Sequence, residues 1–317
     1  MSELHPQTQA LVDAMARMNL VSPDKLSVDQ AREQFRRSRV PFVAPPQAVS
    51  AVTNAAIPGP SGKTRIRIYR PLASRSEELL PGLVYFHGGG WVFGDLDSHD
   101  PLCRELCNLA QCAVVAVDYR LAPENRFPAA VDDAVFAIRH VERHAAELGI
   151  DGTRLATGGD SAGANLATVA ALTFRDDGGP ALKLQLLIYP VADFSMDSPS
   201  YTRIENGFTF SRERMRYFSN AYLRGPEDVN DWRASPLKAK DLSRLPPALL
   251  IAAGHDPLVD EGKAYADRLK AAGVPVTYTC YEGMVHGFVS MAGAIDAAHT
   301  AIAEAAEALK RAFRHAR

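Results

Sequence analysis

The sequence has few cysteines, no long apolar run and almost no net charge. Its 317 residues include four cysteines, and their spacing does not suit a metal site. No apolar stretch approaches the length that crosses a membrane, and the first residues form no apolar signal region, so we expect a cytoplasmic protein that is not bound to a membrane. The 35 Lys and Arg residues nearly balance the 37 Asp and Glu residues, and the net charge of −2 gives no reason to expect nucleic acid as a partner.

Strand-like and helix-like segments alternate along the chain, as they do in α/β proteins. Hydrophobic residues make up 47% of the sequence, which is enough for a substantial core. The first two of eight predicted strands should pair antiparallel, and the other six should be parallel because helical segments separate them. We therefore predict one α/β domain over residues 1–317, with a mostly parallel eight-stranded sheet flanked by helices. The predicted strands are 48–54, 64–70, 83–86, 113–117, 154–157, 184–189, 248–253 and 276–281, and the flanking helices are 101–110, 130–148, 162–176, 260–271 and 293–313.

One serine stands between two glycines where a predicted strand gives way to a predicted helix, in Gly159-Asp160-Ser161-Ala162-Gly163. A serine in so tight a turn takes a sparsely populated backbone conformation, and small neighbours let the strand and the helix approach closely. This G-x-S-x-G pattern is typical of the nucleophile elbow of α/β-hydrolases, but it also fits a tight connection without chemical function. Ser161 is the candidate nucleophile.

Three consecutive glycines follow another predicted strand, in His87-Gly88-Gly89-Gly90-Trp91. Acyl transfer passes through an oxyanion, which must be met by preorganised N–H donors. We expect these donors to be the N–H groups of Gly88 and Gly89, together with that of Ala162 at the start of a helix. The alternative is a glycine-rich turn without chemical consequence.

A serine nucleophile needs a base, and the base needs a partner that fixes its tautomer. His286 lies in a loop after the eighth predicted strand, and Asp256 lies in the turn after the seventh. Parallel strands place their ligands beyond their carboxyl ends, and the chain order Ser, Asp, His is the one expected for α/β-hydrolases. Asp260 and Glu282 remain alternatives for the acid.

Other histidines have different interpretations. His255 is adjacent to Asp256, and adjacent residues rarely aim their side chains at each other across a site. His87 is expected to hydrogen-bond within its own loop and to hold the glycines in place. His140 and His144 have helical spacing that would suit a metal, but their charged neighbours indicate a solvated face, so no metal site is predicted.

With these residues in view, the chain resembles the hormone-sensitive-lipase-like esterases, a branch of the α/β-hydrolase superfamily. The resemblance rests on five ordered motifs, at 87–91, 118–124, 159–163, 256–262 and 286–288. It implies a catalytic triad and an oxyanion hole at the candidate residues above, with no cofactor and no metal. It also suggests cis peptide bonds before Pro123 and Pro128.

Two further segments, 1–45 and about 195–240, stand outside the regular alternation of strands and helices. The first contains helical patterns over 8–18 and 27–38, the second of which opens with a capping box, Ser27-x-x-Gln30. The family resemblance implies that both segments form a helical cap over the site. Their aromatic residues would then line a substrate pocket, or would only attach the cap to the core. These candidates are Phe35, Phe42, Phe208 and Phe210.

The sequence thus predicts a serine carboxylesterase that acts on short- to medium-chain esters through an acyl-enzyme. An amidase, a lactonase or a deacetylase could use the same residues, and these remain alternatives. Receptors with this fold bind small molecules but lack the catalytic histidine, whereas His286 is present here. Similar enzymes often form homodimers, and the sequence leaves monomer and homodimer open.

Overall fold

In the computed structural model, which describes residues 3–75, 77–204 and 208–314, eight strands form one sheet. Their order across the sheet is β1-β2-β4-β3-β5-β6-β7-β8. β1 pairs antiparallel with β2, β2 pairs antiparallel with β4, and all other neighbours are parallel. The strands are β1 Ala51–Gly59, β2 Gly62–Arg70, β3 Leu80–Phe86, β4 Ala113–Asp118, β5 Ile150–Asp160, β6 Gln185–Ile188, β7 Ala248–His255 and β8 Val276–Val285.

Helices connect the strands and cover both faces of the sheet. Two helices precede the first strand, and two more lie between β6 and β7. Within the described residues, the helices are α1 Pro6–Arg17, α2 Val28–Arg39, α3 Asp100–Ala110, α4 Ala129–Arg143, α5 Ala162–Asp177, α6 Ser200–Arg203, α7 Arg212–Tyr222, α8 Val259–Ala271 and α9 Asp296–Arg314. None of them combines the length and the apolarity needed to cross a membrane.

The core has two layers because successive side chains of a strand point to opposite faces. In β3, Val84 and Phe86 pack in the layer that contains α4, α5 and α8. Leu83 and Tyr85 pack in the other layer, with α3 and α9. All four side chains are fully buried, as expected for a central parallel strand with helices on both faces.

The predicted strand and helix order is confirmed, with shifts at several ends. The capping box of α2 is present, since Gln30 N donates to Ser27 Oγ and Ser27 N donates to Gln30 Oε1. The peptide bonds before Pro123 and Pro128 are cis, as expected. The helix predicted over 130–148 is wrong at its end, because it stops at Arg143 and the chain turns into β5 through Gly149 at a φ of +70°.

Candidate active site

The turn from β5 to α5 displays Ser161 in a strained conformation. Its φ is +55° and its ψ is −117°, and its N–H donates to the carbonyl of Ile188 at 2.8 Å. A Cβ on Gly163 would lie 1.9 Å from the carbonyl oxygen of Phe86, and one on Gly159 would lie 2.4 Å from the same atom. Both glycines are therefore required by close approach of the backbone, as the sequence predicted.

The three side chains predicted as nucleophile, base and acid form one hydrogen-bonded chain. Nε2 of His286 lies 3.0 Å from Oγ of Ser161, and its Nδ1 lies 2.6 Å from Oδ2 of Asp256. Asp256 is fully buried, and its Oδ1 accepts from the N–H of Leu258 at 2.9 Å. The carboxylate is therefore fixed at both oxygens, which orients the imidazole toward the serine.

The alternative acids and the neighbouring histidine lie elsewhere. Asp260 pairs with Arg203 at 2.8 Å, and Glu282 is exposed. His255 is buried with its ring 5.9 Å from that of Phe208, and neither of its ring nitrogens has a hydrogen-bond partner among the described residues.

The glycine loop after β3 is held by several hydrogen bonds. Nδ1 of His87 lies 2.8 Å from the carbonyl oxygen of Gly88, which agrees with its expected role within the loop. The hydroxyl of Tyr119 donates to the carbonyl of His87 at 2.7 Å, and the two rings stack with centroids 4.4 Å apart. Gly89 and Gly90 have φ values of +122° and +61°, which favour glycine.

One predicted oxyanion donor is already used within the protein. The N–H of Gly88 donates to Oδ1 of Asp160 at 2.9 Å, so the prediction that Gly88 donates to an oxyanion does not agree with the structure. The N–H groups of Gly89 and Gly90 have no hydrogen-bond partner in the described part of the chain. Ala162 is the first residue of α5, where an N–H has no partner within the helix.

Asp160 is a buried carboxylate that sequence analysis missed. It accepts from the hydroxyl of Tyr85 at 2.9 Å and from the N–H of Gly88, and Nε2 of His99 lies 3.2 Å from it. Burial alone would raise the pKa of Asp160. His99 attracts the carboxylate and hydrogen-bonds to it, and the Tyr85 hydroxyl donates to it as well, so the pKa of Asp160 is lowered to about 2. The only signal in the sequence is its position beside Ser161.

Comparisons with known proteins agree with this geometry. A family described as alpha/beta hydrolase fold matches residues 83–290. The chain belongs to this family. Carboxylesterase NlhH of Mycobacterium tuberculosis is 44% identical over 252 residues, covering 78% of each chain, and ethyl acetate hydrolase of Pseudomonas putida is 39% identical, covering 90% of this chain and 91% of the other. A solved ester hydrolase from the metagenome of Lake Arreo superposes with a TM-score of 0.94 at 41% identity, covering 98% of this chain and 99% of that one.

Ser161, the candidate nucleophile of this α/β-hydrolase, lines a cavity of about 110 Å³. A single water molecule requires about 10–15 Å³ of cavity volume, so this cavity is large enough for a small solute. Of the four aromatic candidates, Phe35 and Phe210 line it, and the ring of Phe210 lies 4.5 Å from that of His286. Phe42 is packed in the core, and Phe208 is exposed at a separate groove, so neither lines this cavity.

The cavity also has lining residues that sequence analysis did not single out. They lie on both helices before β1, on the glycine loop and its continuation, on α7, and in the loop after His286. Whether a side chain is apolar or charged does not predict that it lines the cavity, because the packing of these helices against the sheet depends on tertiary contacts. They include Met15, Arg39, Phe93, Arg214, Phe218 and Met291.

Within the described residues, no group of three or more His, Cys, Asp or Glu side chains could hold a metal ion. The rings of His140 and His144 stack with centroids 4.3 Å apart, and Nδ1 of His144 lies 3.3 Å from Oε2 of Glu147.

Proposed function

We propose that the protein is a serine carboxylesterase that hydrolyses short- to medium-chain carboxylic esters through an acyl-enzyme intermediate. The observation that supports this most directly is the chain of contacts from Asp256 through His286 to Ser161, with distances of 2.6 and 3.0 Å. The ester-hydrolase relatives at about 40% identity support the same reaction class. A cytoplasmic location stays a prediction of the sequence, which leaves monomer and homodimer open.

In the proposed mechanism, Oγ of Ser161 attacks the ester carbonyl while Nε2 of His286 removes its proton. Asp256 accepts the Nδ1–H of the imidazole and stabilises the imidazolium that forms. The same histidine then returns the proton to the leaving alcohol. In the second half, His286 removes a proton from water, which attacks the acyl-enzyme, and gives that proton to Oγ of Ser161 as the carboxylic acid leaves. Apart from the ester and water, these steps use side chains and backbone groups of this chain.

We assign the oxyanion hole to the N–H groups of Gly89, Gly90 and Ala162. These donors have no other partner among the described residues, which supports the assignment. Gly89 and Gly90 also line the cavity that contains Ser161, and Ala162 follows Ser161 in the chain. Removing one such donor typically costs about 3 kcal/mol of transition-state stabilisation. Asp160 would act indirectly, by holding Gly88 so that Gly89 and Gly90 keep their position beside the cavity.

We also propose that residues 1–45 and 195–240 form a cap that limits substrate size. Support comes from α2 and α7, which contribute Phe35 and Phe218 to the lining of the cavity. Residues 1–2 of the first segment and 205–207 of the second lie outside the described residues. A cavity of about 110 Å³ favours small acyl groups over long chains.

The test is hydrolysis of p-nitrophenyl esters of graded chain length by the wild type and by Ser161→Ala. We expect the variant to lose nearly all activity, and the wild type to prefer short chains. Ser243→Ala is a matched control, because Ser243 precedes β7 and so lies near the opposite end of that strand from Asp256. Equal activity in wild type and Ser161→Ala would refute the nucleophile, and faster cleavage of matched amides would favour the amidase alternative.

A further inference from the structure

Two arginines reach the cavity that contains Ser161, and neither forms an ion pair with a carboxylate among the described residues. They are Arg39, at the end of α2, and Arg214, in the first turn of α7. A buried charge is costly unless it is paired and hydrogen-bonded. Cationic side chains that stay unpaired beside a reactive serine therefore require an explanation.

The position of Arg39 is fixed beside the catalytic histidine. Its Nη2 donates to Oγ of Ser290, which in turn donates to the carbonyl of Gly287 at 2.8 Å. Both Nη atoms lie about 4 Å from where a Cβ on Gly287 would be, at 3.9 and 4.0 Å. The guanidinium also lies over the ring of Phe35, with Cζ 5.0 Å from the centroid. Arg39 is thus held next to the residue that follows His286.

Most of the donor capacity of Arg39 is unused. Its Nε is buried and has no hydrogen-bond partner in the described residues. The one hydrogen bond that the guanidinium makes to those residues is from Nη2 to the neutral Ser290. Burial lowers the pKa of the Arg39 guanidinium, but an arginine in a protein keeps its charge. The side chain therefore presents a positive charge and unpaired N–H groups to the cavity.

Two structural roles for Arg39 are weaker explanations. Asp160 attracts Arg39 at a distance, but Tyr85, Gly88 and His99 already supply the hydrogen bonds to that carboxylate. A cation also suits the C-terminal end of a helix, but other arginines in the last turn of α2 provide this from exposed positions. Neither role needs a guanidinium that lines the cavity containing Ser161.

We propose that Arg39 binds a carboxylate of the substrate, so that the preferred esters are small and carry a carboxylate near the scissile bond. This inference rests on the proposed esterase function and names its substrate class. The planar guanidinium can donate two parallel hydrogen bonds to a carboxylate, which fixes the substrate as well as attracting it. Arg214 adds positive charge to the same cavity, and burial lowers the pKa of its guanidinium as well.

The test compares anionic esters with neutral amides of nearly the same shape. Monoethyl succinate and ethyl succinamate carry the carboxylate or its replacement amide on the acyl side of the ester. Acetoxyacetate and acetoxyacetamide carry it on the alcohol side. Each is assayed with the wild type, Arg39→Met and Arg39→Lys. Arg37→Met is the matched control, because Arg37 lies on the same helix, is exposed and does not line the cavity.

We expect the anion-to-amide ratio of kcat/KM to fall about 10-fold or more in Arg39→Met for at least one pair, mainly through KM. Arg39→Lys should give an intermediate ratio, and Arg37→Met an unchanged one. Succinate should inhibit the wild type competitively and Arg39→Met much more weakly. The inference is overturned if the variant lowers activity on anions and amides equally, or if the ratio is the same in all four proteins.

Failure of this inference is distinguishable from failure of the proposed function. Neutral p-nitrophenyl acetate reports on Ser161 alone, since it carries no carboxylate. Hydrolysis of this ester without any effect of Arg39 on the anion-to-amide ratio would refute only the role of Arg39. Thermal unfolding of each variant is measured as a control for folding. The anion-to-amide ratio of kcat/KM, measured on one preparation, does not depend on the folded fraction.

Discussion

Replacing Asp160 by Asn should weaken both the fold and the reaction. The pKa of Asp160 is about 2 in the folded protein against an ordinary value of 3.8, so the charged form interacts more favourably than the neutral form by about two pK units. At about 1.4 kcal/mol per unit, the charge contributes about 2 to 3 kcal/mol to the free energy of unfolding near neutral pH. An amide keeps the shape and one acceptor but loses this contribution.

The effect of Asp160→Asn on activity follows from the contact between Asp160 and Gly88. A weaker hydrogen bond at 2.9 Å leaves the glycine loop less well fixed, and misplacing catalytic donors by about 1 Å can cost about 100-fold in rate. We therefore expect kcat to fall about 10- to 100-fold on a neutral ester, with little change in KM.

The assay pairs this variant with Asp133→Asn. Asp133 is also buried and is paired with Arg120 at 2.8 Å, but it lies on α4, away from the cavity. Both variants should lose stability in chemical denaturation, and only Asp160→Asn should lose kcat per folded molecule. If Asp160→Asn keeps the wild-type kcat, Asp160 is a structural residue and the reasoning about the loop is wrong.

The lowered pKa of Asp160 also predicts how the stability of the protein changes with pH. A carboxyl group whose folded pKa is depressed stabilises the fold above its unfolded pKa and loses this effect as the pH falls. The contribution of Asp160 should therefore be complete above about pH 4 and disappear between about pH 4 and pH 2. The difference in free energy of unfolding between wild type and Asp160→Asn should shrink over this range, and a constant difference would contradict the assignment.

Two further predictions concern the turn after β7 and the helix that follows it. Asp256→Asn should lower kcat about 10 000-fold by favouring the wrong tautomer of His286, whereas Asp260→Asn should have little effect in the same ester assay. Burial raises the pKa of Glu261 well above its ordinary value, although the N–H groups of Ala192 and Asp193 oppose this. The wild type should therefore lose stability as the pH rises above about 4.5, and Glu261→Gln should lose less; equal pH dependence of unfolding in both would contradict this.

The sheet and the contact among Ser161, Asp256 and His286 could be predicted from the sequence because short-range patterns determine them. Apolar runs identify the strands, and parallel strands bring their carboxyl ends to one edge. Ser161, Asp256 and His286 each follow such a strand, so their contact is a consequence of the topology. The two glycines around Ser161 are required by backbone approach, and this too is visible in the local pattern.

The remaining parts of the site depend on contacts that no local pattern encodes. Phe42 and Phe35 stand in the same segment, yet one enters the core and the other the cavity, because α2 and the turn after it face different parts of the sheet. The contact of Gly88 with Asp160 joins residues 72 positions apart. Arg39 could not be recognised either, since the lack of an ion pair is a property of the folded surroundings.

The residues proposed to react and the residue proposed to select the substrate lie on different elements of the molecule. The register of the sheet fixes Ser161, whereas α2 is attached to the loops above it by side chains, including the pair of Arg32 and Glu124 at 2.8 Å. Changes at Ser161 should therefore lower the rates on all esters together, whereas changes at Arg39 should alter the ratio between charged and neutral esters. Because the two effects are separable, α2 could change specificity without disturbing the contact between the serine and the histidine.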